Sequence, residues 1–292
     1  MEKKLVAAPF GGYIYTSTDS GATWTERTAA TFRYWNSVAS SSNGTKLVAA
    51  VSGGYIYTST NSGVTWTQRT NSGSRSWYSV ASDLDGIKLV AAVNNGYIYT
   101  STDSGATWTE RTTAGSRIWR SVASSSDGKN LVAAVSSGYI YTSTDSGATW
   151  TQRITAGNRS WISVASDLDG KNLVAVVNNG YIYTSTDSGA TWPERINAGI
   201  RKRYSVASSS DGTKLVAAVN NGYIYTSTDS GATWTEQTTA GIRTWDSVAS
   251  DLDGKNLVAV IDGGYIWTYA EPVSQTPQTP QPSSETPICV MQ

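Results

Sequence analysis

Six arginines recur along this chain at intervals of 42 residues, Arg33, Arg75, Arg117, Arg159, Arg201 and Arg243, and all but Arg201 open an Arg-x-Trp string. Trp35, Trp77, Trp119, Trp161 and Trp245 stand two residues on, and Arg203 takes that place in the string Arg201-Lys202-Arg203. A guanidinium fork donates two parallel hydrogen bonds to a carboxylate or a phosphate, so six copies around one axis would make a local anion trap. These residues, with Lys202, are the expected ligand-binding set, and the expected partner is a protein or glycan bearing acidic groups. The competing role is structural, each Arg stacking on a Trp or pairing with an outer-strand carboxylate such as Glu110.

The remaining candidates for chemistry are fewer. Lys plus Arg and Asp plus Glu balance at 22 each among 292 residues, so no net field draws the chain to nucleic acid. Glycoside hydrolysis needs two carboxylates in different environments across one bond, whereas nearly every carboxylate here belongs to a repeated turn or outer strand. No catalytic residue is therefore expected. The chain has no His and one Cys, which excludes an internal disulfide and a Cys/His zinc site. Asp83-Leu84-Asp85-Gly86 hints at a calcium loop but offers too few oxygens, so neither metal nor cofactor is expected. Cys289-Val290-Met291-Gln292 reads as a C-a-a-X prenylation box, which makes Cys289 a candidate lipid acceptor giving weak, reversible membrane association. The apolar run Leu5-Val6-Ala7-Ala8 is too short for a signal peptide, and the expectation is a cytoplasmic monomer, membrane-associated if the tail is prenylated.

What must position the arginines is a strict repeat. The triplet Tyr-Ile-Tyr, or Tyr-Ile-Trp, begins at Tyr13, Tyr55, Tyr97, Tyr139, Tyr181, Tyr223 and Tyr265, again 42 residues apart. A period of 40–50 residues points to a radial or stacked β array. Each unit holds four short strand candidates, as at Trp119-Arg120-Ser121-Val122-Ala123-Ser124, Leu131-Val132-Ala133-Ala134-Val135, Tyr139-Ile140-Tyr141-Thr142-Ser143 and Ala148-Thr149-Trp150-Thr151-Gln152-Arg153. Asp-Gly and Ser-Gly turns separate them. Four antiparallel strands per unit make a blade of an all-β propeller. Twelve Trp and 17 Tyr against two Phe and two Met mean that aromatic rings, each covering roughly 150–250 Å², fill the space between blades.

The string Ser17-Thr18-Asp19-Ser20-Gly21-Ala22-Thr23-Trp24 and its copies resemble the Asp-box, or bacterial neuraminidase repeat. Asp19, Asp103, Asp145, Asp187 and Asp229 keep the acid, and Asn61 replaces it once. The resemblance implies a structural hairpin between the third and fourth strands of a propeller blade. It also raises a sialidase-like hydrolase, whose family carries an Arg-Ile-Pro type motif that is absent here. The same box occurs in photosystem assembly factors with basic residues near a propeller axis, though nothing outside the repeats adds support. The function expected is non-catalytic binding or scaffolding, with a multivalent lectin as the first alternative and the hydrolase as the second.

Two closures of the ring are compatible with the repeats. Seven blades leave the first without its inner strand and the last without its outer one. Six leave Leu257-Val258-Ala259-Val260 and Tyr265-Ile266-Trp267 unpaired, and so seven are favoured. The propeller is expected over residues 1–270, and a disordered Pro/Gln/Ser/Thr-rich tail over 271–292.

Overall fold

The computed structural model describes residues 3–261, 263–270 and 289–290, the last pair through their backbone only. Its regular elements are short β-strands joined by tight turns and single 3-10 turns. The unit expected from the repeat is the unit observed. In one copy the strands Arg117–Ser124, Leu131–Val135, Ile140–Ser143 and Thr151–Arg153 lie side by side, antiparallel and in chain order.

Periodicity explains which faces are buried. Along Leu131–Val135 every residue is buried, because alternate side chains enter two different cores. Leu131, Ala133 and Val135 pack with Trp119 and with Val90 of the preceding unit, while Val132 and Ala134 pack with Trp161 of the following one. A continuous apolar strand covered on both faces is the result. Sheets therefore stack face to face around the chain, and the first and last repeats also meet. Ala7 shares a core with Ala249, Val258 and Val260, and Lys3 Nζ lies 2.7 Å from an Asp251 carboxylate oxygen.

Two sets of hydrogen bonds, one to serine hydroxyls and one within the backbone, tie neighbouring units together. The Ser37 hydroxyl accepts from the Val80 N–H at 3.0 Å, and Ser79, Ser121, Ser163 and Ser205 do the same for the next innermost strand in turn. At the other end of those strands, Ser42 N–H donates to Leu84 O, Leu84 N–H to Ser126 O, and Ser126 N–H to Leu168 O. The alternation of serine and Asp-Leu-Asp turns is thus a belt of unlike partners.

The strand Cys289–Val290 pairs antiparallel with Leu5–Ala8, opposing Ala7 to Val290 and Ala8 to Cys289. It occupies the innermost place in the first sheet, where the repeats supply no strand. The register matches that of the complete units, in which Val38 opposes Ala49 and Ser37 opposes Ala50. The expected tail thus contains an ordered strand at residues 289–290, while 271–288 and 291–292 lie outside the described residues.

Candidate ligand-binding face

Strand direction sorts the loops onto two faces. The arginine at, or two residues before, the start of each innermost strand shares a face with the hairpin after the second strand and the 3-10 turn that follows the outer strand. The Asp turns and the Ser or Asp-Leu-Asp turns lie on the other.

The Asp turns are closed upon themselves. Asp103 Oδ1 accepts from Thr107 N–H at 2.8 Å and from the Ser101 hydroxyl at 2.8 Å, and Oδ2 accepts from the Thr107 hydroxyl at 2.6 Å. The Ser101 hydroxyl takes the Gly105 N–H, and the Trp108 indole donates to Gly105 O. Gly105, at φ +81°, is pressed against Thr58 of the preceding unit, where a Cβ would stand 2.9 Å from a methyl carbon. These carboxylates are held within their own turns by three hydrogen bonds, as at Asp103. Asp167 is likewise occupied by Lys171 N–H, Asn172 N–H and the Asn172 amide. No cluster of three His, Cys, Asp or Glu suited to a metal occurs among the described residues.

Hydrogen bonds from Thr23 and Ser17 hold Asp19 down at about 2, and Thr233 and Ser227 do the same for Asp229. A carboxyl with a lower pKa folded than unfolded contributes stability that is complete above about 4 and is lost as pH falls toward 2. Asn61 shows that the turn forms without the charge, its Oδ1 accepting from Thr65 N–H at 2.9 Å. The expected result is that Asp19→Asn with Asp229→Asn flattens the loss of melting temperature between pH 5 and pH 2.5. An unchanged slope would exclude these turns as its source.

On the opposite face the arginines adopt one repeated pose. Arg75, Arg117 and Arg159 each lie 4.7 Å over the ring of Tyr99, Tyr141 and Tyr183, Arg33 lies 4.6 Å over Tyr57, and Arg243 lies 4.3 Å over Trp267. Nε of Arg75, Arg117, Arg159 and Arg243 donates to a carbonyl three residues back. The Tyr hydroxyl beneath is fixed in turn by the outer strand, as in Tyr57 to Gln68 at 2.7 Å and Tyr99 to Glu110. Burial and then the Glu110 bond push Tyr99 up to about 12. The guanidinia of Arg75, Arg117, Arg159 and Arg243 are thus anchored through one edge and one face, whereas Arg33 Nε is buried without a partner and Arg159 Nη2 also lies 4.0 Å from a Glu194 carboxylate oxygen. The stacking partner is the third-strand Tyr rather than the Trp expected as the structural alternative, with Trp267 as the exception.

The tryptophans need a correction as ligand groups. Trp35, Trp77, Trp119, Trp161 and Trp245 are each 0% exposed, the first four wedged between units against a Tyr and an Asp-turn Trp and the last against Trp267. Their indole N–H donates to a glycine carbonyl, either 23 residues back, as Trp119 to Gly96, or four back, as Trp77 to Gly73. They are core.

Arg203 needs the same correction. It is also 0% exposed, and Nη1 donates to both corresponding carbonyls, Gly180 O at 2.7 Å and Gly199 O at 3.0 Å, while Nη2 reaches Ala198 O. The guanidinium copies both versions of the indole bond, and its Nε is left without a partner. Burial, with Arg201 adding repulsion, lowers it to about 10. Of the three expected cations in this string only Arg201 and Lys202 are exposed. Arg201 is held away from its Tyr225 ring, at 6.0 Å, with Arg203 5.8 Å from that same ring.

The expected motif Arg-x-Trp therefore concealed its more informative position. In every complete innermost strand a β-bulge falls between the Trp place and the following Ser, so that the ladder register skips Asn36, Tyr78, Arg120, Ile162, Tyr204 and Asp246. Bulges re-aim side chains beside functional sites. The signal available in the sequence was their variation within a chain that otherwise repeats.

No family model and no curated protein matches this chain. Solved structures do. A structure of YCF48 bound to D1 peptide aligns with a TM-score of 0.72 at 17% identity, over 91% of this chain and 89% of that one. The Niastella koreensis GH74 enzyme aligns at 0.72 and 18%, over 92% of this chain and 50% of that one. The beta-propeller domain of Myceliophteria thermophila Cps50 (Swd1) aligns at 0.67 and 12%, over 88% and 90%. At these identities the likeness is one of fold, and the chain is an all-β propeller built from repeated blades.

Proposed function

We propose that this propeller is a non-catalytic binding module whose Arg face takes a protein partner bearing acidic groups. The observation that carries the reading is the division between its faces. Carboxylates of the Asp turns are spent on their own turns, whereas the arginines opposite are anchored with donors to spare. A similar fold bound to a peptide, in YCF48, supports a peptide as occupant over a glycan. The Asp turns follow the Asp-box resemblance as structural hairpins. We read the ring as seven-bladed, with residues 289–290 completing the first blade. On that reading Cys289 serves closure, and the chain works in the cytoplasm without a lipid tether.

A fluorescent peptide of alternating Asp and Gly, titrated against its Asn counterpart, tests this. The Asp peptide is expected to bind more weakly as salt rises and at least tenfold more weakly to Arg75→Gln/Arg117→Gln/Arg159→Gln. Equal binding of the Asn peptide, or unchanged binding by a folded triple variant, would remove the Arg face from the account.

A further inference from the structure

Around each arginine three alternating positions break the repeat. The first set is Phe32, Ser74, Ser116, Asn158, Ile200 and Ile242; the second is Tyr34, Ser76, Ile118, Ser160, Lys202 and Thr244; the third is the bulged set that begins at Asn36 and ends at Asp246. Between them stand Arg33, Trp35 and Ser37 and their copies, which change once, at Arg203. A strand points successive residues to opposite sides, so the first two sets lie away from the side that builds the blade, and the third stands at the bulge, where the alternation is broken and the side chain is re-aimed. All six members of the first set are exposed.

The differences are concentrated. Both phenylalanines of the protein lie on this face, Phe10 at 61% and Phe32 at 58% exposure, with Tyr34 between them at 56%. Phe10 and Tyr34 are cross-strand partners with ring centroids 5.2 Å apart, Phe32 is 6.5 Å from Tyr34, and Tyr13 meets Phe32 edge-on. In the next unit the equivalents of Phe10, Phe32 and Tyr34 are Ser52, Ser74 and Ser76. Water-exposed aromatic rings gathered where the fold is satisfied with serine mark an interaction site. Two repeats away Arg120 stacks 4.7 Å over Tyr78 with a buried Nε that has no partner, and farther round Lys202 stands 5.3 Å over Tyr204.

We infer that these three positions form one asymmetric recognition surface, and that its occupant is an extended acidic peptide with an aromatic or large aliphatic side chain. The inference rests on the protein-binding reading of the Arg face and deepens it. The apolar side chain seats on Phe10, Phe32 and Tyr34, and carboxylates reach toward the cations Arg120 and Lys202, away from Asp246. A lectin using one identical site per blade would need the same residues in each unit, and here they differ.

The test uses a phage-displayed library of random 12-residue peptides selected on the full chain. Enriched peptides are then measured against wild type, Phe10→Ser/Phe32→Ser/Tyr34→Ser and Arg75→Gln/Arg117→Gln/Arg159→Gln. The serine variant carries residues that other units already hold at these places, so its melting curve should match wild type. Expected are peptides combining Asp or Glu with Phe, Trp, Leu or Ile, bound at least tenfold more weakly by the serine variant. Peptides lost only with the Arg variant would overturn the aromatic anchor and leave the Arg face intact. No enrichment, or binding that survives both variants, would overturn both. Sedimentation showing a dimer that the serine variant abolishes would assign the patch to a second copy and overturn the peptide.

Discussion

Removing residues 289–292 is expected to lower the melting temperature by about 6–12 °C. The first sheet would lose its innermost strand, exposing the backbone edge of Leu5–Ala8 and the buried Ala7 and Ala8 beside it. A ladder hydrogen bond is worth about 1 kcal/mol, and with the apolar surface laid open the loss comes to about 3 kcal/mol. At about 2–4 °C per kcal/mol for a chain of this size, that gives the expected fall. Cys289→Ser is the control. Val290 stands 42 residues beyond Val248, so residue 289 falls where Ser37 and Ser247 stand in the other units. Serine there is expected to leave stability unchanged and, in protein made in eukaryotic cells, to leave the intact mass lower only by the substitution itself. A truncated chain that melts with the full one would show that closure rests on the first and last blades alone. A prenyl mass increment lost in Cys289→Ser would show that the strand leaves the sheet to be modified.

That strand shows where the sequence was legible and where it was not. The repeat was plain because Tyr-Ile-Tyr and the Asp turn recur without insertion, and strands of uniform length and spacing followed from it. Residues 271–288 share neither the turns nor the apolar alternation of the equivalent stretch 229–246, although the interval to Val290 is unchanged. Composition therefore read as a tail, and Cys289-Val290 read as chemistry, when the frame alone placed them beside Leu5–Ala8. The site failed in the opposite way. Arg and Trp drew attention because they recur, but recurrence is what packing imposes on every blade. Trp119 is buried and Arg117 is stacked for reasons shared by each unit, whereas the side chains of Ile118 and Arg120 beside them meet no requirement that the other units share. In a chain of near-identical repeats, the residues under a different demand are those that do not repeat.

Trp119→Ala is expected to destabilise the chain by about 3–5 kcal/mol, the largest effect of a single substitution here. Trp119 is fully buried between two blades, 5.3 Å from Tyr141 and 6.5 Å from Trp150 by ring centroids, so truncation leaves a cavity in a wall that neighbouring strands cannot collapse to fill. It also removes the support beneath the Arg117 stack. Arg203 is the natural counter-experiment, since the same slot there holds a desolvated cation with Nε unpartnered and no opposing carboxylate among its hydrogen-bond partners. Replacing even a buried ion pair with well-packed apolar groups is often neutral or stabilising by about 1–4 kcal/mol, and the indole is the group the surrounding blades are shaped for. Arg203→Trp is therefore expected to raise the denaturation midpoint with an unchanged slope, and to let Arg201 settle onto Tyr225 as its equivalents do on their rings. A lowered midpoint would mean that this blade has adapted to its arginine, and that the three carbonyls it gathers outweigh the cost of burying the charge.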